Sequence, residues 1–177
     1  MNLTQPLIKE LESHTLARFQ DCDPFGHLNN ARYIDYFLNA RQDQLAAYYD
    51  FHIFVHGKET NENWVVTRTH IAYLYPAAVM EEICIRTKLI LMSDSTLVVE
   101  GIMYDKTKKR AKSIAWMEFT YINLTSGRTA KHPADFLEQF GQVVMTGIYE
   151  PDGFNQRVEV LRRESRQHST ALANLQE

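Results

Sequence analysis

Gln20 to Phe37 reads QDCDPFGHLNNARYIDYF and joins two different kinds of sequence pattern. Its first half is rich in Asp, Pro, Gly and Asn, the residues that most often form turns. From Ala31 to about Tyr49, apolar residues recur at the three- and four-residue spacing of a helix, and in the first half they cover more than one face. The stretch therefore predicts a long, largely surrounded helix with small polar groups crowded at its N-terminus.

The crowded helix N-terminus has a chemical use. Its unpaired backbone N–H groups and partial positive potential can bind an anion or a developing oxyanion. Asn29 is the expected N-cap, which makes Asn30 one of the first helical residues. Asp23 lies upstream on a turn in which Pro24 fixes φ and Gly26 permits a left-handed conformation. The residues thus allow a carboxylate to stand beside a carbonyl polarised by the Asn30 N–H, ready to attack it or to direct a water.

An ordinary strand-to-helix connection uses the same residue types. On that interpretation Asp23 caps a turn, His27 bonds a carbonyl group and Asn29 caps the helix, with no chemistry involved. The pattern of residues does not decide between the two interpretations.

Short apolar runs and turns fill the rest of the first 130 residues. A strand is expected at His14 to Asp21, and a loop after the helix runs through HGKETNEN, residues 56–63. Four further strands are predicted at Trp64 to Tyr75, Ile83 to Met92, Thr96 to Tyr104 and Ala111 to Ile122. Their separators are short, which favours antiparallel hairpins. The order predicts an α+β domain in which one long helix packs on an antiparallel five-stranded sheet.

The C-terminal residues differ in character from this domain. We expect residues 1–140 to form the domain and residues 141–177 a C-terminal extension that is helical from about Phe154. A helical seam that is apolar at both ends and polar in its middle steps by three and four through the extension, at Val158, Leu161, Ser165, His168, Leu172 and Leu175. So short a seam favours a helix lying on its own domain over a coiled coil with a partner.

Composition limits the classes of function. The chain has 177 residues, 45% of them hydrophobic and 23% charged, as in a single soluble globular domain. A net charge of −3 gives no global attraction to nucleic acid or to an anionic membrane. Cys22 and Cys84 are too few for a disulfide framework, and no apolar run is long enough for a transmembrane helix. We therefore expect a cytoplasmic protein.

The segment DCDPFGHLNNARYIDYFLNAR, residues 21–41, resembles the helix-entry segment of the hot-dog-fold thioesterases. It is most similar to the 4-hydroxybenzoyl-CoA thioesterase type, in which an Asp-x-Asp-Pro-x-Gly turn precedes the central helix. The Gly-His-Leu-Asn-Asn ending also resembles the acyl-carrier-protein thioesterases of fatty acid synthesis. VVTRTHIAYLYPA, residues 65–77, is similar to the strand after the helix, and the later strands follow in family order. The resemblance covers roughly Leu16 to Pro133.

The resemblance implies a hot-dog fold and hydrolysis of an acyl thioester. Asp23 matches the family's catalytic carboxylate, a nucleophile or a general base, and the Asn30 N–H matches the group that polarises the thioester carbonyl. Gly26 matches the turn glycine, and His27 matches a histidine of the carrier-protein branch. Phe25 replaces a polar residue of that branch, which weakens the match of His27 to it. A non-catalytic module that binds or senses acyl thioesters is the alternative function.

The resemblance also implies partners. The substrate would be an acyl-CoA or acyl-carrier-protein thioester, with coenzyme A or phosphopantetheine as part of the substrate and no separate cofactor or metal. The family's assembly implies at least a homodimer, in which two central helices lie back to back under a continuous sheet, with a homotetramer as the alternative. Neither a nucleic acid nor a membrane partner is expected.

A cluster of cations, called the basic turn here, lies between the last two strands at Lys106, Lys108, Lys109, Arg110 and Lys112. It has two interpretations: a solvated hairpin whose lysines prevent edge pairing, or a contact for the phosphates of coenzyme A or for an acidic carrier protein. We therefore include Lys108, Lys109 and Arg110 among the candidate substrate-binding residues. The strand aromatics Trp64, Tyr73 and Tyr75 either line an acyl pocket or belong to the core.

Other reactive side chains are less promising. His52 and His56 have the spacing of helical metal ligands, but no nearby residue completes a ligand set. Cys22 lacks a histidine–acid pair that would make it a nucleophile. Asp35 and Asp43 are alternative acids on the helix, although ordinary polar-face residues have the same pattern. We expect no metal site.

Overall fold

The computed structural model describes residues 7–173, with side chains as far as residue 167. Its strands form one antiparallel sheet in the order β1-β3-β4-β5-β2. The strands are β1 (Glu10–Leu16), β2 (Glu62–Tyr73), β3 (Glu82–Met92), β4 (Thr96–Asp105) and β5 (Ala111–Asn123). The helices are α1 (Tyr33–Tyr49), α2 (Ile53–Thr60), α3 (Ala134–Gly141) and α4 (Phe154–Ala173), and a 3-10 turn at Asn30–Arg32 leads into α1. The predicted α+β hot-dog architecture, a five-stranded antiparallel sheet around a long helix, is confirmed.

Helix α1 packs against one face of the sheet through large side chains. Phe37 lies directly on the backbone of β4, because a Cβ built on Gly101 would come within 2.6 Å of the Phe37 ring. Glycine is therefore required at that position for the helix to approach the strand. The opposite face of α1 carries exposed Asp35, Asn39 and Asp43. A single chain thus covers one side of the helix and not its whole circumference.

Two sequence predictions near the N-terminus and the first helix are wrong. The first strand is Glu10–Leu16, not His14 to Asp21, because residues 19–21 form a 3-10 turn that leads to the polar stretch. The strand pairs with β3, where Glu10 forms an ion pair with Lys88 and Glu12 with Arg86. Because these positions are charged, β1 does not show the alternation of apolar residues that predicts a strand.

The loop predicted at residues 56–63 is largely helical. Helix α2 contains the buried Gly57, where an added Cβ would come within 2.6 Å of the Asn63 side-chain nitrogen. The Asn63 amide in turn donates a hydrogen bond of 3.2 Å to the carbonyl of Ile53. Glycine here marks a close approach within a helix and not a break in it. Helix α3 was not predicted.

Helix α4 lies on the other face of the sheet, so the prediction that the extension is helical from about residue 154 is confirmed. Val158 and Leu161 pack with Ile102 of β4 and Ile114 of β5. The side chains of His168, Leu172 and Leu175, which extended the predicted seam, lie outside the described residues.

An ion pair fixes the same helix to the sheet. Arg157 of α4 donates two hydrogen bonds, of 2.9 and 3.0 Å, to the carboxylate of Glu100, which is fully buried. Lys88 and the indole N–H of Trp116 also contact this carboxylate, at 3.2 and 3.0 Å. Although burial opposes ionisation, these donors hold the pKa of Glu100 below its usual value.

Among the described residues, no helix combines the length and apolar character needed to cross a lipid bilayer.

Candidate active site

Asp23 opens a tight hairpin that precedes the helix. The Gly26 N–H donates to the Asp23 carbonyl at 3.0 Å, and the Asp23 N–H donates to the His27 carbonyl at 2.8 Å. Asp, Pro and Gly occupy the first, second and fourth positions of this turn, as a type I turn prefers. Gly26 has a φ of 76°, with no atom within 4 Å of a built Cβ, so its requirement for glycine is conformational and not steric. Local chemistry alone specifies this turn.

The two oxygens of the Asp23 carboxylate are used differently. Oδ1 accepts hydrogen bonds from the backbone N–H groups of Phe25 and His27, at 2.9 and 3.2 Å. Oδ2 makes no hydrogen bond or ion pair within the described residues, and the side chain is only partly buried. One oxygen therefore fixes the rotamer while the other is open to a ligand or a water.

The helix begins as predicted. Asn29 is the N-cap, since its side-chain oxygen accepts from the Ala31 N–H at 2.9 Å. The Asn30 N–H has no acceptor among residues 7–173. Tyr73, at the end of β2, donates its hydroxyl to the Asn30 carbonyl at 2.8 Å, which fixes the peptide that follows this free N–H. The helix entrance thus presents an available donor at the positive end of α1.

The segment between β2 and β3 holds the hairpin in place. The Leu28 N–H donates to the Ala77 carbonyl and the Val79 N–H to the Gly26 carbonyl, both at 2.8 Å. The Tyr33 hydroxyl accepts from the Ala77 N–H at 3.3 Å. These bonds on both sides of the hairpin set the position of the turn relative to α1.

Asp21 and Asp23 have separate roles, although both belong to the same motif. Asp21 Oδ2 accepts from the Tyr36 hydroxyl at 2.9 Å, and Oδ1 lies 3.8 Å from Arg32. The same Tyr36 hydroxyl accepts from the Arg18 N–H at 2.8 Å. Asp21 is therefore tied to the helix, whereas Asp23 has a free oxygen.

His27 lies across the hairpin from Asp23. Its backbone is bonded on both sides, but its partly buried imidazole makes no hydrogen bond or ion pair with the described residues. The side chain is therefore available at the site, and its role stays a prediction.

The basic turn is mostly engaged with the protein itself. Lys108 forms an ion pair of 2.6 Å with Glu12, and its hydrogen bond is the largest cause of the lowered pKa of Glu12, about 2. Arg110 stacks over the Tyr75 ring at 5.0 Å. Lys109 has no ion pair among the described residues. These contacts support the structural interpretation for Lys108 and Arg110, while Lys109 is free to meet an anion.

Other residues considered from sequence are engaged in structural contacts. Asp35 pairs with Arg32 at 3.1 Å, and His56 bonds the Tyr121 hydroxyl at 2.9 Å. The Cys22 thiol donates to the Arg18 carbonyl, and burial, followed by the nearby aspartates, raises its pKa. A raised pKa disfavours the thiolate that a nucleophile requires.

Glu12, His14 and Cys84 bring three possible metal ligands within 4.8 Å of one another. Lys108 and Arg86 already neutralise the Glu12 carboxylate, at 2.6 and 2.9 Å. These two cations compete with any metal, so the cluster is better described as an ion-pair network.

An apolar cavity of about 100 Å³ lies beneath the C-terminal half of α1 and was not predicted. Its aromatic walls are Phe51, Trp64, Phe119, Phe136 and Phe140, and Arg41 is the charged residue among its lining side chains. Of the three strand aromatics considered from sequence, only Trp64 lines this cavity. The sequence did contain one signal: Arg41 stands four residues from both Phe37 and Leu45, on the apolar face of the predicted helix.

Residues 17–140 match the family model of the thioesterase-like superfamily. The chain belongs to this superfamily. The match includes the hairpin, α1, α2, the four strands that follow and most of α3. A comparison with curated proteins finds no significant match to the sequence.

Solved structures show the same fold at low sequence identity. The probable thioesterase YbaW from Escherichia coli is 21% identical, with a TM-score of 0.65 over 76% of this chain and 99% of that one. A DHNA-CoA thioesterase from Staphylococcus aureus is 16% identical, with a TM-score of 0.65 over 95% of each chain. A hypothetical S. aureus protein in complex with CoA is 13% identical, with a TM-score of 0.70 over 84% of this chain and 94% of that one. This superfamily member thus shares its fold with proteins described as thioesterases.

Proposed function

We propose that this protein hydrolyses an acyl-CoA thioester to the free carboxylic acid and coenzyme A. The observation that carries the proposal is the unequal use of the two Asp23 oxygens, together with an Asn30 N–H that has no acceptor among the described residues. One oxygen is held by the turn, and the other can reach a substrate. Membership of the thioesterase-like superfamily supports the reaction, and the structural relatives described with CoA support this carrier.

The first chemical requirement is an electrophilic carbonyl. Resonance between sulfur and carbonyl is weak in a thioester, so its acyl carbon is already reactive towards a nucleophile. A carbonyl oxygen on the Asn30 N–H would be polarised further and stabilised as negative charge develops on it. The positive end of α1 strengthens this effect, and Tyr73 holds the peptide group in place. This part of the site therefore stabilises the tetrahedral intermediate.

Asp23 can act in two ways. As a general base, its free oxygen takes a proton from water while the water oxygen attacks the acyl carbon; the C–S bond then breaks and the thiol leaves with a proton. As a nucleophile, the carboxylate forms an anhydride and expels the thiolate, and water then hydrolyses the anhydride. Both routes need one carboxylate and one oriented donor. No step in either route uses a metal.

A hydrolysis screen tests the proposal. Acyl-CoA esters of varied acyl group, and matched acyl-carrier-protein esters, are incubated with the protein, and release of free thiol is measured. We expect the unaltered protein to hydrolyse at least one CoA ester that the Asp23→Asn variant does not hydrolyse. Tight binding without turnover of any ester would contradict the proposal and support an acyl-thioester binding module. Turnover of carrier-protein esters alone would contradict the assignment of CoA as carrier.

We also propose that the protein forms a homodimer through β2. This strand pairs with β5 on one side and has no strand neighbour on its other side among the described residues. Val65 and Val66 on β2, and Phe54 and Val55 on α2, are 38%, 41%, 67% and 50% exposed. A long exposed edge with apolar side chains is a pairing surface. Pairing of β2 with its copy would give one continuous sheet.

Sedimentation velocity tests the dimer. The unaltered protein should sediment as a dimer at micromolar concentration, whereas Val65→Lys with Val66→Lys should be a monomer, because edge lysines oppose strand pairing. A monomeric unaltered protein would contradict the proposal. A dimer that persists in the variant would exclude this edge as its interface.

A further inference from the structure

Arg41 places a guanidinium group in the wall of the apolar cavity. Its side chain is among the buried polar groups, with only 9% of the residue exposed. The other lining residues are uncharged and apolar, and five of them are aromatic. A guanidinium has five N–H donors that need acceptors. The cavity therefore combines an apolar body with one strong cationic donor.

The protein leaves most of this donor unused. Arg41 Nη1 donates to the Thr87 hydroxyl at 3.2 Å, and Arg41 has no ion pair with any described residue. The Thr87 hydroxyl donates its own proton to the Gln44 side-chain oxygen at 2.5 Å. The Gln44 amide in turn donates to Ser13 and to the Ile85 carbonyl, at 2.9 and 3.0 Å. This chain of neutral groups orients the Arg41 side chain without neutralising it.

The charge of Arg41 persists in this setting. Burial lowers the pKa of Arg41 to about 10, and the nearby Tyr49 hydroxyl opposes this shift. Such a pKa still leaves the group protonated at neutral pH. A buried charge without a counter-ion is unfavourable, so an anion that enters the cavity gains a strong and poorly screened interaction. A carboxylate fits best, because its two oxygens match the planar fork of arginine.

Cavity size limits the ligand. A cavity of about 150 Å³ admits a benzene molecule. The cavity here measures about 100 Å³ and is only partly enclosed, so it suits a short branched apolar group, or a single ring that extends beyond its mouth. The lining residues of the cavity include none of the hairpin or the helix entrance, since the first of them along the chain is Arg41. Within one protomer, the cavity is therefore distinct from the site at Asp23.

We propose that this cavity binds the carboxylate of a compact apolar acid, with Arg41 as the anion-binding residue and Thr87 as its positioning residue. The acid has two possible sources. It is a free carboxylic acid, or it is the distal carboxylate of an acyl group whose thioester lies at a helix entrance. The second source rests on the proposed hydrolase function, whereas the first does not depend on it.

Calorimetric titration of the full chain with 3-methylbutanoate and with benzoate tests the binding directly. Each is compared with its uncharged amide, 3-methylbutanamide or benzamide. We expect saturable binding of an acid, at least about tenfold tighter than that of its amide, because only the acid supplies a charge-assisted bidentate pair. Binding should survive high ionic strength, since a buried pair is screened less than a surface one. Equal binding of acid and amide would overturn the proposal.

Variants separate Arg41 from general anion binding. Arg41→Met should abolish the preference for the acid, and Arg41→Lys, which keeps the charge but loses the fork, should weaken it. Arg163→Met removes an exposed arginine on α4 and is the matched control, which should bind as the unaltered protein does. If Arg41→Met fails to fold, Arg41→Lys and Thr87→Val provide the same comparison. An acid preference unchanged in the folded Arg41 variants would overturn the assignment.

Hydrolysis distinguishes the two sources. Glutaryl-CoA, whose acyl group ends in a carboxylate, is compared with valeryl-CoA in the unaltered protein and in the Arg41 variants. A lower KM for glutaryl-CoA that is lost in the variants identifies the acyl group as the source. If free acids bind but glutaryl-CoA has no lower KM than valeryl-CoA, the cavity is a separate site for a free acid. That conclusion holds even if the protein hydrolyses no thioester. Absence of both overturns the proposal.

Discussion

Replacing Asp23 by Asn tests the chemistry of the hairpin with little change of shape. The Asn side-chain oxygen can still accept from the Phe25 and His27 N–H groups, but both bonds lose their charge assistance. Charge-assisted bonds exceed neutral ones by about 1 kcal/mol each, so about 1–2 kcal/mol is an upper bound on the loss of stability. The free oxygen becomes an NH2 group that can neither attack a carbonyl nor accept a proton from water. The loss of kcat should be about 10²–10⁴-fold, the usual contribution of a general base.

The assay compares kcat and KM for the best CoA ester of the screen, alongside urea unfolding. Asp21→Asn is the matched control, because it keeps its acceptor for the Tyr36 hydroxyl and loses a partly exposed contact with Arg32 of 3.8 Å. We expect its kcat to fall less than about threefold. A loss below about tenfold in Asp23→Asn would refute a role as base or nucleophile. A larger loss in Asp21→Asn would mean that the family's carboxylate corresponds to Asp21.

Isotope labelling separates the two roles of Asp23. A single turnover in ¹⁸O-water with enzyme in excess can leave label in the Asp23 carboxylate if an anhydride forms. A general base places all the label in the released acid. Label in the protein would therefore exclude a purely general-base mechanism.

Three further outcomes follow from the packing and the charges. Gly101→Ala should lower the free energy of unfolding by about 1–3 kcal/mol, because the added Cβ would stand 2.6 Å from the Phe37 ring. A urea unfolding midpoint that does not change would contradict this packing. The hydrogen bond from Lys108, with smaller contributions from Arg86 and His14, outweighs burial and lowers the pKa of Glu12 from 4.5 to about 2. The stabilising effect of these contacts is therefore complete above pH 4.5 and is lost as pH falls from there towards 2. Glu12→Gln should flatten that decline in stability, and parallel curves for the two proteins would refute it. Lys109→Ser should raise KM for acyl-CoA, less so at high salt, and an unchanged KM at low ionic strength would leave the basic turn purely structural.

The parts of the site that local chemistry determines could be predicted from the sequence. Gly26 takes the left-handed conformation and Asn29 caps the helix, because each depends on neighbours within a few residues. The strand order β1-β3-β4-β5-β2 was not predicted, because hydrophobic patterns do not determine which strands become neighbours in the sheet. Those patterns located four strands but misplaced β1, whose half-buried positions include the charged Glu10 and Glu12.

Contacts between residues that are far apart in the sequence could not be predicted. Both interpretations of the basic turn, a solvated hairpin and a phosphate contact, left out the ion pair of Lys108 with Glu12, which lies 96 positions earlier. Arg41 was one residue in a helical pattern, and its meaning depends on a cavity built from α1, α2, α3 and four strands. Tertiary packing, and not local propensity, decides which of these charges is free.

The two tryptophans of the sequence lie on opposite sides of the sheet. Trp64 lines the cavity and donates its indole N–H to His132 at 2.9 Å, with the His132 and His56 rings stacked near it. Trp116 is buried beneath α4, where it bonds Glu100 and contacts Phe154. The molecule therefore contains two intrinsic fluorophores, one for each layer of the fold. In a Trp116→Phe variant, the emission of Trp64 would report on the cavity layer during unfolding. In a Trp64→Phe variant, the emission of Trp116 would report on the docking of α4.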